Sequence, residues 1–341
     1  MTTQSSSQAP TGIGVIGLGM MGRALARVCT QLPEARIVGM ADVAHKAGRV
    51  TAEGFGAPYY PDAGELCARP EVDAVIVATP EDAHVAPCLA AIEHGKAVLV
   101  EKPLAATVAD AQVIASAAAA RGVPLLVGHV LRFTLPYILA RQAIDEGRLG
   151  AVQAIQTRRL NGRNAQERLK GRCPLSLFLG VHDYDVARWL AGSEPARVYA
   201  EAQYGVLRGL GYDIEDTNWA LITFRNGVLA ACETGWILPP GHPRGFDGGL
   251  WIQGSAGRLD IDLRHQGLML STDAGTTFPD GLFMPEIGGE ITGGFVAEVR
   301  HFLACIRQGL TPCITAADAI AAVRIAEAVA ESARTHRPVE L

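Results

Sequence analysis

The chain has no apolar run approaching the roughly 20 residues of a bilayer-spanning helix and no block rich in lysine and arginine. The first absence argues against a transmembrane helix. The second leaves nothing to attract nucleic acid or an anionic lipid surface, so neither partner is expected. No C-x-x-C pair occurs among the seven cysteines, which are scattered at 29, 67, 88, 173, 232, 305 and 313. An odd, scattered set gives neither a disulfide framework nor a zinc site, and points to reduced thiols in a cytoplasm. The opening MTTQSSSQAPT lacks a basic n-region and an apolar h-region. It reads as a flexible tail over residues 1–11, not as a secretory signal. No internal repeat is visible. What abounds is apolar: 49% of 341 residues are hydrophobic and 19% charged, with net charge −5. That profile is globular, and the length suits two domains, each with its own core.

Strand and helix patterns alternate up to about residue 125. GIGVIGLG, ARIVGMAD, DAVIVATP, AVLVEKP and PLLVGHV read as strands, and MGRALARVCTQL, DAHVAPCLAAIEHGK and TVADAQVIASAAAARG as helices. Repetition of this kind predicts a parallel sheet with helical crossovers over residues 12–125. Beyond it the texture changes. LPYILARQAIDEGRLG and VHDYDVARWLAG read as helices, and VQAIQTRRL, ARVYAEAQYG, DTNWALITFRNGVLAACETGW, GLWIQGSAGRLDIDLRH and LMLSTD as strands joined by turns such as Asn226–Gly227. Two amphipathic helices close the chain. Residues 126–341 are expected to form a second α/β domain.

Gly17, Gly19 and Gly22 spell G-x-G-x-x-G between a predicted strand and a predicted helix, and Asp42 ends the next strand 20 residues beyond Gly22. The pattern alone is common. In a strand–helix–strand unit with that aspartate it matches the dinucleotide fingerprint. Gly17 permits the tight turn, Gly19 lets backbone approach a pyrophosphate, and Gly22 lets the helix pack close. The helix N-terminus offers N–H donors and positive potential. Met20 and Met21 join the cofactor-binding set. Asp42 suits ribose hydroxyls and would repel a 2′-phosphate, so NAD is favoured over NADP; His45 and Lys46 nearby soften that discrimination. The structural alternative is a turn that serves helix packing only.

The stretch AVLVEKPLA, residues 97–105, ends a buried strand in Glu101, Lys102 and Pro103. Pattern alone leaves two readings: a lysine paired with Glu101 for structure, or a lysine with a chemical task at a strand end. Together with Thr79–Pro80, His84 and Gly95–Lys96 the stretch resembles the signature of the glucose–fructose oxidoreductase / inositol dehydrogenase family (Gfo/Idh/MocA). GVHDYDVARWLAG is similar to that family's H-x-x-D helix, and the resemblance extends over nearly all of residues 12–341. It implies an N-terminal Rossmann dinucleotide-binding domain, then an α/β domain with an open, mainly antiparallel sheet used for homo-dimers and homo-tetramers. It implies a nicotinamide cofactor and a sugar, cyclitol or related polyol substrate.

On this resemblance Lys102 lies beside the nicotinamide as acid–base or electrostatic group, and Thr79, Pro80, His84 and Glu101 belong to the cofactor site. His182 contacts or deprotonates the reacting hydroxyl, with Asp185 one helical turn on. Many members carry an aspartate four residues before this histidine, where this chain has Phe178. Asp183 or Asp185 then takes over, or Lys102 carries most of the acid–base load. Arg132, Asn161, Arg163 and Asp183 are further candidates for substrate contact, with solvated surface polarity as the alternative for the first three. No third ligand beside His182 and the two aspartates has metal-like spacing, so no metal is expected. The expected activity is NAD(P)-dependent hydride transfer to or from a secondary alcohol. Redox-assisted glycoside hydrolysis and a non-catalytic nucleotide sensor are the alternatives.

Overall fold

The computed structural model describes residues 9–341. Residues 1–8, most of the expected tail, lie outside the described residues. The chain divides into two compact units. The first takes residues up to Ala105, Asp110–Gly128 and Glu286–Ala316; the second takes Ala106–Ala109, His129–Pro285 and Ala317–Leu341.

In the first unit, β1 (Thr11–Ile16), β2 (Ala35–Ala41), β3 (Tyr59–Tyr60), β4 (Ala74–Val77), β5 (Ala97–Glu101) and β6 (Leu125–Gly128) form a parallel sheet in the order β3-β2-β1-β4-β5-β6. This is the Rossmann order, in which the chain reverses direction between β1 and β4. Every residue of β1, β4, β5 and β6 is buried, as strands covered on both faces must be. Helices α1 (Met20–Gln31), α2 (His45–Gly54), α3 (Ala63–Cys67), α4 (Val85–Glu93) and α5 (Val108–Arg121) make the crossovers. Local chemistry sets their ends. The Asp62 carboxylate accepts from the N–H of Gly64 at 2.7 Å and of Glu65 at 3.2 Å, capping α3. Gly95, just past α4, sits at φ +70° and lets the chain leave the helix. Thr11, expected in the tail, already belongs to β1, because its N–H donates to the Glu34 carbonyl at 2.8 Å.

In the second unit, α6 (Leu135–Asp145), β7 (Val152–Gly162), α7 (Ala165–Leu169), α8 (Val181–Ala191), β8 (Pro195–Gln203), α9 (Val206–Gly209), β9 (Thr217–Phe224), β10 (Leu229–Leu238), β11 (Phe246–Gly254) and β12 (Arg258–Asp262) follow in turn. The segment Glu286–Ala316, with α10 (Gly294–Gln308), returns to the first unit. Then α11 (Ala316–Thr335) and β13 (Val339–Glu340) close the second. Its sheet runs β12-β11-β7-β10-β9-β8-β13 and is antiparallel except between β7 and β10. Side chains alternate across it. Ile155 and Thr157 of β7, Ala220 and Ile222 of β9, and Ala230 and Cys232 of β10 face inward. There Tyr137, Tyr184, Leu190 and Val329 from the covering helices complete the core. Trp219, Leu221 and Leu229 take the opposite face and are about half exposed.

The return of Glu286–Ala316 differs from the sequence boundary, which put it in the second domain. Its cause is contact made far along the chain. The Gln31 side-chain amide exchanges two 3.0 Å hydrogen bonds with the Ile291 backbone, and Arg27 pairs with Glu286 at 2.9 Å.

Candidate active site

In a parallel sheet all strands end along one edge, and ligands bind beyond it. Ile16 pairs with Ala41 on one side and Val77 on the other, Val77 with Val100, and Glu101 with Gly128. One edge therefore gathers the glycine turn, Asp42, Thr79–Pro80 and Glu101–Lys102–Pro103.

The three glycines are there for different physical reasons. Gly17 lies at φ +87°, and a Cβ on it would come within 2.6 Å of the Thr79 nitrogen. A Cβ on Gly22 would lie 1.9 Å from the Gly17 carbonyl oxygen, so only glycine lets α1 pack there. Gly19, by contrast, has an ordinary φ of −67°, and a Cβ on it would meet nothing within 4 Å. Bareness at Gly19 serves nothing inside the protein; it leaves the backbone open to a ligand. No side chain caps the first turn of α1, which leaves its N–H donors for a diphosphate. Met20 is exposed and Met21 half-buried in the same turn. Asp42 is held in place from both oxygens: Oδ2 accepts from the Leu18 N–H at 2.6 Å, and Oδ1 from the Ala44 N–H at 2.7 Å. The Tyr59 hydroxyl donates to the Asp42 carbonyl at 2.7 Å. These residues fit a dinucleotide.

Along the same edge His84 is fully buried. Its Nδ1 lies 2.9 Å from the Pro103 carbonyl oxygen and its Nε2 3.0 Å from that of Thr79. The ring thus ties the Thr79 loop to the Lys102–Pro103 segment, with both nitrogens on backbone carbonyls, where the sequence reading placed it in the cofactor site. Burial lowers its pKa, and the carbonyl contacts offset part of that. Lys102 is half-buried at the lip of β5. Glu101 points the other way, into the protein, with only its Oε2 accepting the Lys102 N–H at 3.2 Å. Burial pushes its carboxyl up to about 7, against the pull of the Lys102 charge and N–H. Its carboxyl, like the His84 ring, is buried behind the edge.

In the second unit His182 occupies the first turn of α8 and is half-buried. The residues expected to work with it are engaged elsewhere. Arg132 grips Asp185 with two donors, Nε to Oδ2 at 2.8 Å and Nη2 to Oδ1 at 2.5 Å. It also reaches Asp318 at 3.5 Å and stacks on Trp189. Asp183 is paired with Arg159 of β7. Asp183, Asp185 and Arg132 are all buried, so desolvation demands these pairs. The structure thus puts Asp185 in an ion pair where the sequence reading gave it a catalytic place, and Arg132 and Asp183 in ion pairs where it gave them substrate. Phe178 lies 6.2 Å from the Trp236 ring, centroid to centroid. Asn161, the penultimate residue of β7, has its Oδ1 buried and without a hydrogen-bond partner among the described residues. The Arg163 N–H donates to the Leu238 carbonyl at 3.2 Å.

Two residues escaped the sequence reading although each carried a signal. Arg159 shares the inward parity of Ile155 and Thr157 on β7, and a charge on that face needs a partner. Glu298 falls on the stripe of Phe295, Val299 and Phe302 along α10, and is fully buried.

Among the described residues no helix is long and apolar enough to cross a membrane, and no group of three or more His, Cys, Asp or Glu side chains could hold a metal ion.

Comparison with known proteins matches the chain in two parts. Residues 11–129 match the Gfo/Idh/MocA model described as an oxidoreductase family with an NAD-binding Rossmann fold. Residues 141–341 match that family's C-terminal alpha/beta domain. An inositol 2-dehydrogenase of Saccharopolyspora erythraea is 31% identical over 96% of this chain and 95% of its own length. The scyllo-inositol 2-dehydrogenase (NAD(+)) of Bacillus subtilis is 29% identical over the same shares. Among solved structures, GenD2 from gentamicin A biosynthesis, in complex with NAD, superposes with a TM-score of 0.86 at 26% identity, covering 100% of this chain and 99% of that one. The scyllo-inositol dehydrogenase of Lactobacillus casei with bound NAD(H) and scyllo-inositol has a TM-score of 0.83 at 22% identity, over 97% of this chain and 99% of that one, a likeness of fold.

Proposed function

Because the chain belongs to the Gfo/Idh/MocA oxidoreductase family, we propose that it is an NAD-dependent dehydrogenase acting on a ring CH–OH of a cyclitol or related sugar. The observation that carries the reading is the shared edge. Strand register aligns the open glycine turn, the clamped Asp42 and the Lys102 strand end on one side of a parallel sheet. The inositol dehydrogenases among its relatives support the substrate class.

Bound NAD supplies the hydride acceptor. The backbone of Gly19 and the first turn of α1 hold its diphosphate, and Asp42 accepts from ribose hydroxyls. Like charge at Asp42 disfavours a 2′-phosphate. Lys102 takes the hydroxyl proton as the carbon gives up hydride, and its charge then stabilises the developing oxyanion. His182 remains a candidate for contact with the reacting hydroxyl. With Phe178 apolar and both Asp183 and Asp185 spent on arginines, most of the acid–base load falls to Lys102. Asn161 and Arg163 remain candidates for substrate hydroxyls. The half-exposed Trp219, Leu221 and Leu229 suit burial against a second copy of the chain, which makes a homo-oligomer the expected state; light scattering on the purified protein reads it directly. The cysteines, all buried but Cys313, suit a reducing cytoplasm.

The test is NADH formation at 340 nm over a panel of inositols, sugars and sugar acids. Turnover of a cyclitol or sugar supports the proposal. Glycoside cleavage without net NADH replaces it with redox-assisted hydrolysis, and NAD binding without turnover of any polyol replaces it with a nucleotide sensor.

A further inference from the structure

Glu298 lies in the middle of α10, on its buried stripe, with no exposure to solvent. Neither of its carboxyl oxygens has a hydrogen-bond partner among the described residues. The same holds for Oε1 of Glu101. Such groups are rare in folded proteins, since a buried polar atom without a partner costs about 1–3 kcal/mol and a lone buried charge far more. Glu298 and Glu101 lie close enough that the charge of one raises the pKa of the other. The Glu101 carboxyl passes Gly128 on β6, where a Cβ would touch it at 3.6 Å. Lys102 is the cation that bears on Glu101, and Glu101 the charge that bears on Glu298.

Two buried carboxyls that feel each other's charge disfavour double ionisation. Their surroundings decide which keeps the proton. Glu101 has an ammonium neighbour and accepts a backbone N–H, both of which favour its anion. Glu298 has neither. A proton on Glu298 is also the donor that Oε1 of Glu101 lacks. We propose that Glu298 is a positioning residue for Lys102: it keeps a proton, hydrogen-bonds to Glu101, and so holds one negative charge behind the lysine at neutral pH. This rests on the assignment of Lys102 as the acid–base group. Loss of the Glu298 proton donor would leave Glu101 to take up a proton itself, and Lys102 would lose its counter-charge.

The experiment uses the full chain carrying glutamate labelled with 13C at the carboxyl carbon. Carboxyl resonances are followed from pH 5 to 9 without NAD or substrate. One glutamate is expected to remain protonated at pH 8, above the range in which Glu101 titrates, and its signal to vanish in Glu298→Gln. Absence of a protonated glutamate at pH 8, or its survival in Glu298→Gln, overturns the proposal whether or not any polyol is turned over. The second arm is the pH profile of kcat/KM. Glu298→Gln keeps a donor, and its rising limb is expected at the wild-type pH. Glu298→Leu removes the donor, and its limb is expected at lower pH by about one unit or more. Coincident limbs in wild type, Gln and Leu variants contradict the positioning role. If Glu298→Leu does not fold, the carboxyl spectra of wild type and Glu298→Gln decide alone.

Discussion

Gly19 and Gly22 offer a contrast that separates cofactor binding from folding. Alanine at Gly22 would set its Cβ 1.9 Å from the Gly17 carbonyl oxygen, well inside any tolerated contact. Helix α1 must back away by roughly 1 Å, and overpacking on that scale costs about 1–3 kcal/mol. Alanine at Gly19 meets nothing within 4 Å and sits at φ −67°, a conformation open to any residue. Stability should then hold or rise by up to about 1 kcal/mol, through lower entropy of the unfolded chain. The new methyl nevertheless stands where backbone must approach the diphosphate. We expect NAD affinity to fall at least tenfold, about 1.4 kcal/mol. Thermal unfolding with and without NAD reads both effects at once. NAD at one hundred times its wild-type Kd stabilises wild type by about 2.7 kcal/mol, and a tenfold weaker site gains only about half of that. Calorimetric titration checks Kd independently. Gly19→Ala with wild-type NAD affinity would refute the reasoning, as would Gly22→Ala with wild-type stability.

Four further outcomes are expected. Lys102→Ala should retain NAD binding and lose about 10²–10⁴ in kcat, measured by NADH formation; unchanged turnover removes Lys102 from the chemistry. Asp42→Ala should weaken NAD and narrow its advantage over NADP, read as the ratio of kcat/KM values for the two cofactors; an unaltered ratio argues that Asp42 does not meet the ribose. Asp185→Ala strips buried Arg132 of its two-point partner, leaving only Asp318 at 3.5 Å, and should cost up to about 3 kcal/mol in denaturant unfolding; a variant of normal stability that has lost only kcat would return Asp185 to the chemistry. Burial raises the carboxyl pKa of Glu101, to about 7, and that of Glu298 as well, so the folded state holds protons that the unfolded chain has released. Stability should therefore fall as pH rises from about 4.5 through about 7, and further still on account of Glu298, a trend that Glu298→Gln flattens in Tm-against-pH scans.

The first unit was legible because its signals are local. Five apolar strands, four of them buried along their whole length, glycines at fixed offsets and an aspartate 20 residues on all follow from backbone geometry within a short stretch, whereas the two-residue β3 left no such signal. The H-x-x-D helix was equally plain, and the structure ends it at Gly192 in the left-handed region. What sequence could not supply was the partner of each charge. Asp183 and Asp185 looked available because Arg159 and Arg132 approach them from segments 24 and 53 residues earlier. His84 looked like a ligand of the cofactor until both its nitrogens were found on carbonyls of the enclosing loops. The return of α10 to the first unit rests on Gln31 meeting Ile291, 260 positions away. Periodicity reports which face of an element is buried, not what it is buried against.

The central claim is that a lysine at a strand end of an NAD-binding sheet performs proton transfer on a polyol. Its most direct test is to follow absorbance at 340 nm as wild type and Lys102→Ala meet NAD and a panel of cyclitols and sugars, with NAD affinity measured for both. The account predicts turnover of at least one polyol by wild type, and near-complete loss in the variant at undiminished NAD affinity. Equal rates for the two proteins would contradict it, as would a wild type that binds NAD and oxidises nothing in the panel.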